Sequence, residues 1–204
     1  MKKFSIIFLV LSAFMLFALN LPAAEKYDPK LPRKIENLVK QLEDKSVKKR
    51  QTATKELIRI GKPAVTEICF ALNNSDNRFA KMCCADALGA IGDVSAVPSL
   101  IRALTDQKSR VRAFSARALG ELGDASAVKS LIKVVKKDDA SIARAFAATA
   151  LGKLGDREAV STLINALTRD EASEVKIASA GALAMLKDIT GVSPLCEALL
   201  DDRD

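Results

Sequence analysis

The sequence predicts an all-α fold, a right-handed α-solenoid of about five helix pairs preceded by an N-terminal half repeat. Three observations lead to it. One phrase recurs along the chain, as ALGAIGDVSAV, ALGELGDASAV and ALGKLGDREAV. Its leucine returns every 31 or 32 residues, and a fixed period of this length indicates a repeat array. Aromatic residues make up only 4% of the chain, so small aliphatic side chains must fill the core, which suits closely packed helices.

Three columns of residues carry the period. The leucine column contains Leu57, Leu88, Leu119, Leu151 and Leu183. A valine follows eight or nine residues later in every unit, at Val65, Val97, Val128, Val160 and Val192. Between the two lies a turn position, held by Gly61, Gly92, Gly123, Gly155 and finally Lys187. Units with such a spacing are expected to stack on their neighbours.

Each unit is predicted to be a pair of helices, and the third unit shows why. Its first half places apolar residues three or four apart, the spacing of one helix face, at Val111, Phe114, Ala118 and Leu122. Gly123 suits the left-handed conformation that ends a helix, and Asp124 is a residue that caps the next one. The second helix continues with Val128, Leu131, Ile132 and Val135.

A glycine also recurs inside the first helix of the middle units. There it costs about 1 kcal/mol relative to alanine, so its recurrence indicates that helices approach closely at this point. The positions are Gly89, Gly120 and Gly152.

An acidic residue closes each unit, and a basic residue opens the next one five or six residues later. The acids are Asp44, Asp76, Asp106, Asp138 and Asp170. The bases are Arg50, Lys81, Arg112, Arg144 and Lys176. We expect these groups to form an ion-pair ladder with a structural role, since exposed pairs each contribute less than about 1 kcal/mol.

The two ends of the array differ from its middle. A half unit precedes the five pairs of residues 47–204, with apolar residues at Ile35, Leu38, Val39 and Leu42. Pro32 stands just before it, where a helix would start. The last unit has Lys187 in place of glycine and an acidic end, and terminal solenoid units commonly depart from the pattern. We predict a signal peptide over 1–24, a flexible leader over 25–31 and the solenoid over 32–204.

The N-terminal segment has the pattern of an export signal. Lys2 and Lys3 precede an apolar run over residues 4–19, and Ala23 and Ala24 are small residues where a peptidase could cut. The run has 16 residues, whereas a membrane span needs about 20. We therefore expect an exported protein, periplasmic or extracellular. The alternative is an uncleaved segment that anchors the protein to the membrane through residues 4–21.

The residue types present exclude several chemistries. The chain contains no histidine, which removes histidine-based acid–base catalysis, Ser-His-Asp and Cys-His nucleophiles and every histidine-containing metal site. None of the cysteines forms a C-x-x-C pair; they are Cys69, Cys83, Cys84 and Cys196. We interpret them as small buried residues. A Cys69–Cys83 disulfide and a reactive Cys83–Cys84 pair are the alternatives.

The charge varies along the chain, whose net charge is +7. Residues 25–60 hold 11 basic and 6 acidic groups, and residues 173–204 hold 3 and 6. A nucleic-acid-binding protein would usually show a sustained basic stripe, so we expect no nucleic acid partner.

Two segments, RAFSARALGELGDASAVKSLIKVV (112–135) and RAFAATALGKLGDREAVSTLINAL (144–167), resemble HEAT repeats of the phycobilisome-lyase HEAT-like type. The resemblance covers about residues 47–204. It implies stacked antiparallel helix pairs, in a family whose members mostly bind proteins. Some members are bilin lyases and some bind DNA. An enzyme branch is a di-iron hydroxylase that uses His-Glu pairs, which have no counterpart here, and no catalytic residue carries over.

In such a stack the second helices are expected to line the concave side. With the valine of each unit at zero and 100° per residue, offsets +2, +5 and +9 point away from the core. The +5 and +9 rows supply the candidate partner-binding residues Lys40, Phe70, Arg102, Lys133, Asn165, Lys137 and Arg169. Phe70 stands out because interface anchors are often aromatic. A plainer interpretation of Phe70 is that it packs under the leader or under a shifted first repeat, or that it is one of many apolar residues exposed without a function. The plainer interpretation of Lys133, Lys136 and Lys137 is a solvated basic surface.

These patterns predict an exported protein–protein interaction module or scaffold that binds a partner protein of the cell envelope on its concave face. We expect no enzyme activity, cofactor or metal, and membrane contact only if the N-terminal segment is uncleaved. The alternative is a lyase or chromophore-handling accessory protein of the lyase-like HEAT family. A purely structural spacer is the third.

Overall fold

The computed structural model describes residues 28–187 of the chain. The chain divides into two units, Met1–Arg33 and Lys34–Asp204, and the repeats lie in the second. The predicted signal peptide, Cys196 and the second helix of the fifth pair fall outside the described residues. Within residues 28–187, no helix has the length and apolar character needed to cross a membrane.

Ten α-helices and no strand make up the regular structure of the described residues. They are α1 (Leu31–Gln41), α2 (Val47–Ile60), α3 (Val65–Asn74), α4 (Arg78–Ile91), α5 (Val97–Ala103), α6 (Ser109–Leu122), α7 (Val128–Lys137), α8 (Ser141–Leu154), α9 (Val160–Arg169) and α10 (Ser173–Leu186). The helix α1 is the predicted half unit, α2 to α9 are four complete pairs, and α10 opens the fifth. The prediction of an all-α solenoid is confirmed.

The turn inside three of the four complete pairs follows from a glycine and an aspartate; in the α2–α3 pair, Gly61 has φ +74° and ψ −140° and no side chain caps the turn. Gly123 adopts the left-handed conformation, with φ +72° and ψ +14°. The carboxylate of Asp124 then accepts a hydrogen bond from the Ser126 N–H at 2.8 Å and caps one turn of 3-10 helix before α7. Asp93 and Asp156 do the same in the neighbouring units. Lys187 takes the left-handed conformation without being glycine, with φ +50°.

The core is formed by the repeated apolar columns. The leucine column is at most 1% exposed at Leu57, Leu88, Leu119, Leu151 and Leu183. Ile35, Leu38 and Leu42 of the half unit are also buried, as their match to the later units predicts.

The first helices of successive units pack at very short distance. A Cβ atom added to Gly120 would lie 2.8 Å from the Cα of Ala150, and one added to Gly152 would lie 2.6 Å from the Cα of Ala182. Real Cβ contacts do not occur at such distances, so only glycine fits, as the recurrence of glycine predicts. The first helices contact each other more extensively than the second helices do, so the second helices leave grooves between them.

The ion-pair ladder exists, but its predicted register is wrong. Arg112 donates from Nε and Nη2 to both carboxylate oxygens of Asp138, at 2.6 Å each, and Arg144 binds Asp170 in the same way at 2.8 Å. Both arginines therefore pair with the acid that closes their own unit, 26 residues later, and Lys81 pairs with Asp106 in the same register at 2.7 Å. The Nη1 of Arg112 donates back to the main-chain carbonyls of Asp106 at 2.9 Å and Gln107 at 3.4 Å, and not to the carboxylate of the preceding acid.

The ladder is also more buried than predicted. The side chains of Arg112 and Asp138 are 11% and 5% exposed, because each lies between consecutive turns. Such a pair is costly to break from one side, since the remaining charge stays buried.

Asp76 is not part of the ladder, contrary to the prediction. Ser75 occupies the ladder position in that unit. Its hydroxyl accepts a hydrogen bond from the N–H of Asn77, two residues later, just as Asp106 and Asp138 accept one from the N–H two residues after them. Arg50 consequently has no carboxylate within 4 Å among the described residues. It donates to the carbonyls of Asp44 and Lys45 and lies 4.8 Å from the ring centre of Phe79.

Candidate interaction surface

The seven predicted partner-binding residues all have exposed side chains. They are Lys40 in α1, Phe70 in α3, Arg102 in α5, Lys133 and Lys137 in α7, and Asn165 and Arg169 in α9. Phe70 is 65% exposed, so it does not pack into the core. We call the exposed side of α3, α5, α7 and α9 the second-helix face.

The +2 row was predicted to be exposed, and this is wrong for most of it. Thr162 is buried, and Ser99 and Ser130 are half-buried. The reason is that these side chains face the adjacent second helix; the side chain of Asn73 in α3, for example, donates to the Ser99 hydroxyl in α5 at 3.2 Å. Exposure on α7 is therefore shifted away from the +2 position and towards the +1 and +8 positions, which are Lys129 and Lys136.

Two grooves lie between successive second helices. A cavity of about 640 Å³ separates α7 from α9, with Lys137, Asn165 and Arg169 on its wall. A second cavity of about 240 Å³ lies between α5 and α7 and is lined by Lys133 and Lys137. The structure thus brings four of the seven predicted residues together around α7 and α9. Lys40, Phe70 and Arg102 line neither groove.

Sequence reasoning missed other lining residues of the larger cavity. Thr162 belongs to the +2 row, and Arg144 belongs to a first helix, yet both line the cavity. The signal for Arg144 was available in the ladder, because its partner Asp170 closes α9.

The aspartates beside the grooves are already neutralised by the ladder. Burial would raise the pKa of Asp138, but hydrogen bonds from Arg112 and the Ala140 N–H hold that pKa below its usual value. The hydrogen bond from Arg144 likewise lowers the pKa of Asp170. Both carboxylates are therefore charged near neutral pH, and each forms an ion pair with a largely buried guanidinium group of the ladder.

The cations of the face have no such partners. Among the described residues, no carboxylate lies within 4 Å of the side-chain nitrogens of Arg102, Lys133, Lys137 or Arg169. Lys40 differs, because its Nζ binds Glu36 at 2.7 Å on the same helix. The exposed cations around α7 are thus without a carboxylate within 4 Å among the described residues, whereas Lys40 has one.

The cysteines do not form the alternative arrangements. Cys69 and Cys83 are free and half-buried, so the Cys69–Cys83 disulfide is wrong, and Cys84 is free and fully buried. Burial raises the pKa of all three thiols. Because the thiolate is the reactive form, these environments oppose nucleophilic chemistry at neutral pH.

The sequence matches the family described as HEAT repeats over residues 35–113, 84–147 and 138–204. These matches span the whole array. The chain belongs to the HEAT-repeat family.

Solved structures show the same architecture. The chain is similar to a structure titled as the complex of CpcE and CpcF of phycocyanin lyase from Nostoc sp. PCC7120, with a TM-score of 0.63, 24% identity and coverage of 91% of this chain and 75% of that chain. An engineered protein gives a TM-score of 0.51 and 24% identity, covering 80% of this chain and 84% of that one. At this level of identity the likeness concerns the fold. None of the curated proteins compared with the sequence matches it.

Proposed function

We propose that this HEAT-repeat protein is an exported interaction module that binds a partner protein of the cell envelope on its second-helix face, the side expected to be concave. The observation that supports this is the row of exposed side chains and grooves on successive second helices. Stacked repeats present such a row on one continuous surface, and extended surfaces of this kind are what solenoids use for binding.

The binding proposal is tested with a double variant, Phe70→Ala with Arg102→Glu. Phe70 and Arg102 occupy the same exposed row on neighbouring second helices, so the variant removes an anchor and reverses a charge on one surface. We expect it to lose capture of the envelope partner that the wild-type protein retains, with an unchanged helical circular-dichroism signal.

The matched control is Val94→Ala with Arg110→Glu. Val94 is 55% exposed in a turn, and Arg110 is exposed on α6, so the control makes similar changes away from the second-helix face. It should capture the partner normally. Capture by both variants would rule out Phe70 and Arg102 as contacts.

Export is a separate part of the proposal and has its own test. We propose that residues 1–24 are removed during export and that the mature chain is periplasmic or extracellular. The N-terminal mass of the protein recovered from its native cells should correspond to a chain that begins at Glu25. Recovery of the intact chain in the membrane fraction would instead support an anchor formed by residues 4–21.

The second candidate function is a lyase or chromophore-handling accessory protein. It is favoured by the likeness of the fold to the structure of the phycocyanin lyase complex. Such chemistry would need a reactive group, and the Cys83–Cys84 pair is the candidate. Alkylation of the native protein, measured by mass spectrometry, distinguishes the two candidate functions. Rapid modification of Cys83 at neutral pH would favour the lyase or chromophore-handling function, and protection of both thiols would exclude the Cys83–Cys84 pair as its reactive group.

A further inference from the structure

The charge of the second-helix face is strongly one-sided. From α5 to α9, the second helices expose six basic side chains and no acidic one; the bases are Arg102, Lys129, Lys133, Lys136, Lys137 and Arg169. None of the six forms an ion pair among the described residues. Unpaired cations gathered on one surface attract a partner of opposite charge and raise the rate of its encounter.

The nearest acids do not cancel this charge. Asp138 and Asp170 line the larger cavity, but each is held by a guanidinium of the ladder and is at most 10% exposed. Glu171, which is exposed, is the remaining carboxylate that lines that cavity, against the unpaired cations Lys136, Lys137 and Arg169. Lys137 and Asp138 line both cavities, and because Asp138 is paired with Arg112, the unpaired charge common to the two cavities is that of Lys137.

The grooves add shape to the charge. The smaller cavity has apolar walls at Ile101, Leu104 and Val134 beside the ammonium groups of Lys133 and Lys137. A ligand that fits it needs a small apolar group next to a negative one. An extended polypeptide supplies both from neighbouring residues, which a uniform polyanion does not.

We infer that the second-helix face between α5 and α9 binds an extended acidic segment of a partner protein, with its carboxylates against Lys133, Lys137 and Arg169. This inference rests on the proposed function and names the chemistry of the partner.

The stacking of the helices suggests the spacing of the acids. Packed helices lie about 8–10 Å apart, and three residues of an extended polyproline-type chain rise about 9 Å. A segment that crosses successive second helices would therefore present one carboxylate to each groove at every third residue, with small apolar residues between.

The experiment measures binding of a synthetic 13-residue fluorescent peptide by the full-length protein. The peptide has glutamate at every third position and alanine or proline between; a second peptide has glutamine in place of each glutamate. At 50 mM salt we expect the glutamate peptide to bind at least about tenfold more tightly, with the difference shrinking at 500 mM salt because exposed charges are screened.

A triple variant, Lys133→Glu, Lys137→Glu and Arg169→Glu, should weaken binding of the glutamate peptide by about tenfold or more. The control, Lys55→Glu, Arg110→Glu and Arg157→Glu, makes the same change in net charge at exposed cations that have no ion pair among the described residues and lie off the second-helix face. It should bind within about twofold of wild type. Thermal melts of both variants establish that each is folded.

Several results would overturn the inference. Equal binding of the two peptides, no binding of either, or equal weakening by the control variant would each contradict it. Tighter binding of a single-stranded oligonucleotide or of anionic lipid vesicles than of the glutamate peptide would assign the face to another class of ligand. If the Phe70→Ala, Arg102→Glu variant loses its protein partner while the glutamine peptide binds as well as the glutamate peptide, the proposed function stands and only the acidic chemistry fails.

Discussion

At the scale of single residues, the turn between the two helices of a pair requires a residue with positive φ, and one unit has no glycine at this position. Lys187 holds φ +50° where the other units have glycine. A side chain costs about 1 kcal/mol or more in this conformation. We expect Lys187→Gly to raise the free energy of unfolding by about 1 kcal/mol, measured by urea denaturation.

The same replacement inside a helix should have the opposite sign. Lys153 is exposed in α8, where glycine costs about 1 kcal/mol. Lys153→Gly should therefore destabilise the protein. If Lys187→Gly also lowered the free energy of unfolding, the side-chain contacts of Lys187 would stabilise the protein by more than its left-handed backbone costs.

Arg144 and Asp170 give a second residue-scale prediction, which concerns pH. Arg144→Gln leaves the largely buried Asp170 carboxylate without its guanidinium and should cost about 2–3 kcal/mol at pH 7. Arg157→Gln, at an exposed residue without an ion pair among those described, should stay within about 0.5 kcal/mol of wild type.

The sign of the pH dependence follows from the lowered pKa of Asp170, whose first cause is the Arg144 hydrogen bond. A carboxylate with a lowered folded pKa contributes stability that is full above its unfolded pKa of about 3.9 and is lost as pH falls through the folded pKa. The deficit of Arg144→Gln should therefore shrink between pH 5 and pH 2. A constant deficit over this range would show that the ion pair is not its origin.

At the scale of helices, the close approach of successive first helices predicts opposite effects for two neighbouring glycines. A Cβ at Gly152 would clash with the main chain of Ala182, whereas a Cβ at Gly181 meets nothing within 4 Å. Gly152→Ala should destabilise by about 1–3 kcal/mol through overpacking. Gly181→Ala should stabilise by up to about 1 kcal/mol through helix propensity. Calorimetric unfolding of both variants checks this, and two changes of the same sign would contradict the packing.

Helix pairs, turns and core columns could be predicted from the sequence because each rests on local spacing. The ladder register could not, because sequence distance favoured the acid five or six residues before each base. In the folded unit, a first helix of 14 residues and a returning second helix bring the closing acid back beside the base. Arg112 therefore meets Asp138, and the burial of the pair follows from the same geometry. Asp76 fits the charge pattern of the sequence, but the backbone of that unit places Ser75 in the ladder position.

At the scale of the whole molecule, the sequence predicted the exposure of the seven candidate residues, though not that of the +2 row, and it did not predict the charge of their surface. Net charge counted along the chain mixes the cations of α7 and α9 with aspartates that lie next to them in sequence. In the fold, Arg112 and Arg144 form ion pairs with those aspartates below the surface, and the lysines of α7 are left exposed and unpaired among the described residues. The separation of charge between a ladder and a face exists only once the repeats are stacked.

The most direct measurement of the central claim is site-specific photocrosslinking in the native cells. A photoreactive amino acid replaces Asn165 on the second-helix face or, as the control, Arg110 on α6, and both positions are exposed. We predict a covalent adduct with one envelope protein from position 165 and none from position 110. An adduct formed from position 110 but not from position 165 would contradict binding on the second-helix face.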